Sequence, residues 1–67
     1  MIALQINGKR VELEQPERLL VYLERLGVNP RAVAVELNGV ILERSRFEDA
    51  VLGEGDVVEI VRMVGGG

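Results

Sequence analysis

The sequence predicts an α+β domain: a mixed sheet of four to five strands, one main helix packed on one face, and a flexible C-terminal glycine tail. Three observations lead there. Apolar residues alternate with polar ones around Asn7-Gly8 and Asn38-Gly39, the pattern of strands joined by tight hairpins. Leu19, Leu20, Leu23 and Leu26 recur at helical spacing. A last apolar run over 57–64 passes directly into Gly65-Gly66-Gly67.

Each element follows from local chemistry. Ile2, Leu4 and Ile6 alternate with Ala3 and Gln5, the period of a half-buried strand. Asn7 and Gly8 both tolerate positive φ and turn the chain back into Val11 and Leu13, which alternate with Arg10 and Glu12. Gln15-Pro16-Glu17 reads as the start of the helix, since proline suits a first turn and an acidic residue favours that end of the dipole. Tyr22 flanks the leucine face, Gly27 caps the helix, and Pro30 prevents its continuation. Val33, Val35 and Leu37 form the third strand, returning through Asn38-Gly39 into Val40-Ile41-Leu42. Ser45 and Glu48 have capping-box spacing and predict a short helical turn within 46–52, with Phe47, Val51 and Leu52 pointing inward. Gly53-Glu54-Gly55-Asp56 is a loop before the final strand. The order is that of the β-grasp, or ubiquitin-like, arrangement, whose first and last strands lie parallel at the sheet centre. Residues 1–64 then form a single β-grasp domain, and 65–67 form the tail.

Composition excludes more than it suggests. The 67 residues suffice for one small core, and 48% hydrophobic content supplies it with almost no aromatic residues. Without Cys, His or Trp, the chain lacks the usual nucleophiles, zinc ligands and proton shuttles, so no metal site and no catalytic site of its own is expected. A net charge of −3 opposes general nucleic-acid binding, which needs a basic face to displace counterions. The apolar runs are too short for a membrane helix, and Met1-Ile2-Ala3-Leu4 does not resemble a signal peptide. The expectation is a cytoplasmic protein, monomeric when free. Glu17, Arg18, Glu24 and Arg25 read as a solvated helix face, Glu54 and Asp56 as carboxylates solvating a glycine turn, and Asn7 and Asn38 as turn formers.

The last strand has an unusual outer face. If Val58 and Ile60 face the helix, then Val57, Val61 and Met63 occupy the opposite side, where polar residues are the norm. Two readings stand: a central strand that is apolar throughout, or a docking patch that guides the tail into a partner.

The carboxyl group of Gly67 is the candidate reactive group. A carboxylate is a poor electrophile and needs activation, most simply as an acyl-adenylate made with ATP. An enzyme doing this must admit bare backbone into a narrow cleft, and glycine, lacking Cβ, meets that demand. Extended, Gly65, Gly66 and Gly67 reach about 10 Å beyond the sheet.

Ala34-Val35-Glu36-Leu37-Asn38-Gly39, Gly55-Asp56-Val57-Val58-Glu59-Ile60 and the closing Val64-Gly65-Gly66-Gly67 together resemble the ThiS-type sulfur carriers of thiamine biosynthesis. The resemblance spans essentially the whole chain. It departs from the family pattern at Glu43, where a proline often precedes the arginine, and at Phe47, where the aromatic is often tryptophan. It implies that an E1-like adenylyltransferase uses MgATP to adenylate Gly67, with no cofactor bound to the carrier itself. Sulfur from a cysteine desulfurase or sulfurtransferase relay then displaces AMP to leave a thiocarboxylate, a 1-thioglycine, which donates its sulfur to thiazole synthase. The alternatives in the same class are the molybdopterin-synthase small subunit and the tRNA-thiolation carriers. A ubiquitin-like protein modifier and an interaction module with an inert tail are the alternatives outside it. Arg62-Met63-Val64 lacks the aromatic and proline residues that tend to precede the glycines of molybdopterin-synthase subunits.

Overall fold

The computed structural model describes residues 1–63. Its elements are β1 (Ile2–Ile6), β2 (Lys9–Leu13), β3 (Glu17–Arg18), α1 (Leu19–Leu26), a 3-10 turn (Pro30–Ala32), β4 (Val33–Leu37), β5 (Val40–Leu42), a second 3-10 turn (Arg44–Asp49), β6 (Val51–Leu52) and β7 (Val57–Arg62). Five strands form a mixed sheet in the order β2-β1-β7-β4-β5, while β3 and β6 form a separate two-stranded sheet. β7 lies parallel to β1 and antiparallel to β4, so the last strand is central, as the β-grasp order predicts.

The helix and the second 3-10 turn cover one face of this sheet. Leu19, Leu23, Val33, Val35, Leu52 and Val58 are almost wholly buried, joined by Leu4, Ile6, Leu13, Tyr22 and Phe47. Each such aliphatic side chain contributes about 1.5–3 kcal/mol relative to exposure. At its end, the helix turns into the left-handed region at Gly27 (φ 77°), whose N–H donates to the Glu24 carbonyl while that of Val28 donates to Leu23. These two bonds satisfy carbonyls that the helix leaves open.

Several local expectations are corrected. The helix begins at Leu19, not at Pro16-Glu17, because Glu17 and Arg18 pair with Leu52 and Val51 as strand β3. The Leu19 N–H donates to the Ala50 carbonyl at 3.0 Å, so tertiary pairing supplies the partner a longer helix would have used. Glu17 is therefore not on a solvated helix face: its side chain is only 16% exposed and meets Arg25 at 2.7 Å. Leu26, in the last position of the helix, is half exposed and lies outside the core. Val51 is exposed while Phe47 and Leu52 are buried, since a two-residue strand points its side chains to opposite sides. The capping box does not form. The second 3-10 turn starts at Arg44 after Glu43, which gives no side-chain cap, so Ser45 lies inside it.

Asn7 (φ 52°) and Asn38 (φ 54°) take the left-handed conformation expected of both hairpins, and each does more than turn the chain. The Asn7 side chain accepts from the Ile60 N–H at 2.7 Å and donates to the Ile60 carbonyl at 3.2 Å. The Asn38 side chain accepts from the Val57 N–H at 2.8 Å and donates to Asp56 at 3.1 Å. Both hairpins thus grip β7 from its two sides. Asn7→Ala is expected to destabilise the fold by about 2 kcal/mol, combining left-handed strain with lost hydrogen bonds, as measured by urea unfolding.

Candidate functional site

The candidate site is built around the outward half of β7. Its inner positions, Val58 and Ile60, pack against the core. Its outer positions do not: Val57, Val61 and Met63 are 46%, 59% and 48% exposed. The reading of β7 as simply apolar core fails for these three residues. Val57 and Val61 share the outer side of β7, Met63 follows directly after it, and among the described residues nothing buries any of the three. Their role as a docking patch is a separate matter, taken up below.

The register places the neighbours. In the antiparallel pairing of β4 with β7, Ala34 opposes Val61 and Glu36 opposes Glu59. Farther out, Ile41 on β5 opposes Glu36 and is 73% exposed. On the other side, Gln5 of β1 lies beside Val57. The outer face therefore consists of an apolar stretch near the end of β7, two facing carboxylates one step back, and Val57 beyond them. Small Ala34 leaves Val61 standing proud. Sequence reasoning found the valines by period but missed the facing carboxylates, because pairing between β4 and β7 cannot be read from either strand alone.

The start of β7 is fixed by its loop. Glu54 accepts from the Ala3 N–H at 2.8 Å, and Asp56 accepts from the Gly53 N–H at 2.8 Å. Gly55 sits at φ 80°, and its N–H donates to the Ala3 carbonyl, while Gln5 donates to the Asp56 carbonyl. These carboxylates hold backbone rather than merely solvating a turn. At the far end, Met63 donates its N–H to the Ala32 carbonyl at 2.9 Å. That bond anchors the last described residue of the chain. A cleft of about 230 Å³ beside it is lined by Val28, Asn29, Val33, Arg62 and Met63 among others. Val64 and the expected arm Gly65, Gly66 and Gly67 lie outside the described residues.

No helix among the described residues is long and apolar enough to cross a membrane. Among the same residues no group of three or more acidic side chains is placed to hold a metal ion.

A β-grasp body whose central strand is followed in sequence by a run of glycines defines a small ubiquitin-like domain. The ThiS family model matches residues 4–67, and the chain belongs to the ThiS family. It is 35% identical to the sulfur carrier protein ThiS of Bacillus subtilis, over 96% of this chain and 98% of that one. It is also 38% identical to a segment of the thiazole synthase of Paramagnetospirillum magneticum, over 96% of this chain but only 20% of that protein. The crystal structure of the thiamine biosynthesis protein ThiS from Geobacter metallireducens superposes with a TM-score of 0.82 at 35% identity, covering 98% of this chain and all of that one.

Because Val61 is exposed, Val61→Lys is expected to change stability by no more than about 0.5 kcal/mol, as read from thermal unfolding. Loss of folding in that variant would return β7 to the role of a core strand on both faces.

Proposed function

We propose that this chain is the sulfur carrier for thiazole formation in thiamine biosynthesis, with the carboxyl group of Gly67 as the group that is modified. The observation that carries this reading is the ThiS family match, which runs through the terminal glycines to residue 67. The named relatives support the same pathway: one is a sulfur carrier, another a thiazole synthase containing a segment like this chain. The β-grasp body, with β7 aimed outward and anchored at Met63, supports it physically.

The chemistry proceeds in three steps. An E1-like adenylyltransferase holding MgATP lets a Gly67 carboxylate oxygen attack the α-phosphorus, and pyrophosphate leaves. The acyl-adenylate carbon is then attacked by sulfur delivered from a cysteine desulfurase or sulfurtransferase relay. AMP departs with the former carboxylate oxygen, leaving the terminal sulfur of the donor persulfide bonded to the acyl carbon as an acyl disulfide. A second thiol of the relay then attacks the donor-side sulfur, forms a disulfide with it and releases the thiocarboxylate. Thiazole synthase accepts that sulfur, and the carrier returns to its carboxylate form. Beyond the Gly67 carboxylate that is itself modified, the carrier contributes no acid, base or nucleophile; it acts as a cytoplasmic co-substrate, a monomer when free. Its contribution is presentation. Gly65 and Gly66 carry no side chains to obstruct a narrow cleft, and Val57, Val61 and Met63 offer apolar surface for the body of the partner.

Incubation with ATP, the cognate adenylyltransferase and a sulfur source is expected to raise the intact mass by the exchange of one oxygen for sulfur at Gly67. An unchanged mass alongside a demonstrably active adenylyltransferase would sink the sulfur-carrier reading. Deleting Gly66 and Gly67 is expected to abolish the modification while leaving thermal unfolding unchanged, which separates a working tail from an inert one.

A further inference from the structure

Glu36 on β4 and Glu59 on β7 stand directly opposite each other, and both are exposed. Like charges facing across a sheet repel and weaken it. Among the described residues no lysine or arginine pairs with either carboxylate; the two ion pairs found are Arg10 with Glu12 and Arg25 with Glu17. The surroundings are apolar. Val57 and Val61 lie on either side of Glu59 along β7, and Ile41 opposes Glu36 from β5. Facing anions ringed by exposed aliphatic side chains complement a cation carried on an apolar surface.

Where the chain leads narrows the occupant to a protein that acts on its end. Four residues follow Met63, and fully extended they span at most about 14 Å. A protein acting on the end of the chain must therefore bring its own body up to the end of β7. Glu59 lies four residues before Met63, about 13 Å back along the strand. A standard interface of roughly 800 Å² per partner is on the order of 30 Å across, so its footprint includes the acidic pair.

We propose that the Glu36–Glu59 pair receives an arginine of thiazole synthase, whose guanidinium bridges both carboxylates while apolar side chains beside it cover Val57, Val61 and Ile41. This rests on the sulfur-carrier reading above. Asn38 donates to the directly opposed Val57, and such bonded pairs alternate along the ladder, so Glu36 and Glu59 form another bonded pair two residues on. Cα atoms in such a pair are about 5.5 Å apart. A planar guanidinium, with donors on more than one edge, bridges that span better than the compact ammonium of lysine. In the Paramagnetospirillum magneticum thiazole synthase, a segment 38% identical to this chain belongs to the same polypeptide as the rest of that protein, which favours thiazole synthase as the occupant.

The test measures binding of the full chain to thiazole synthase of the same organism by calorimetry, at low and high sodium chloride. Glu36→Gln, Glu59→Gln and the double variant are compared with Glu24→Gln, an exposed helix substitution with the same charge change as either single variant. The double variant is expected to bind about tenfold more weakly at low salt and to lose most of the salt dependence. Its thermal midpoint should rise by about 3 °C as the repulsion is removed. Glu24→Gln should bind as the unsubstituted chain does. Undiminished binding by the double variant, or equal weakening by Glu24→Gln, overturns the arginine contact. Sulfur loading, read separately by intact mass, shows whether the sulfur-carrier reading survives that result. An unsubstituted chain that takes up sulfur yet does not bind thiazole synthase overturns both the contact and the thiazole destination.

Discussion

The structure depends on the capture of β7 between β1 and β4. Its inner residues Val58 and Ile60 close the core, and its backbone is bonded on both sides. The pairing with β1 is parallel and joins the two ends of the sequence, so it closes a long loop and gains nothing until the chain has largely collapsed. The asparagines compensate for the short parallel register. Asn7 extends the β1 side with two side-chain bonds to Ile60, and on the β4 side the Asn38 side chain accepts from Val57 and donates to Asp56. Two residues chosen for their tolerance of positive φ thus also act as long-range clamps.

Much of the fold was legible because the chain is consistent at several levels. Period-two runs, Asn-Gly turns and a leucine face with Gly27 as its cap all pointed to one arrangement, and strands β1, β2, β4, β5 and β7 stand where they were expected. The misreadings cluster where distant segments meet. Pro16-Glu17 looks like a helix start until Val51 and Leu52 arrive to pair with Glu17 and Arg18. Nothing near Glu17 announces that strand, and a two-residue strand has no period to detect. The same pairing takes Glu17 off the helix face, and its largely buried side chain meets Arg25.

The candidate site was legible to a different degree. The glycine run and the apolar outer row of β7 could be read directly, since both are properties of one segment. The facing of Glu36 and Glu59 could not, because it depends on a register between strands more than twenty residues apart. Surface carboxylates in alternating strands look like ordinary solvated positions until that register is known. Folding and function pull in opposite directions here. The repulsion weakens the sheet in isolation, and the same charge density is what a cationic partner surface would read.

The bond from Met63 to Ala32 turns the fold into a length standard. Side chains alternate along β7, so a slip of one residue in either direction would exchange the Val58–Ile60 row with the Val57–Val61 row and bury the wrong side. Reach beyond the sheet therefore cannot change by a single residue without turning the core inside out. Whatever follows Met63 is thus counted from a fixed origin on the sheet.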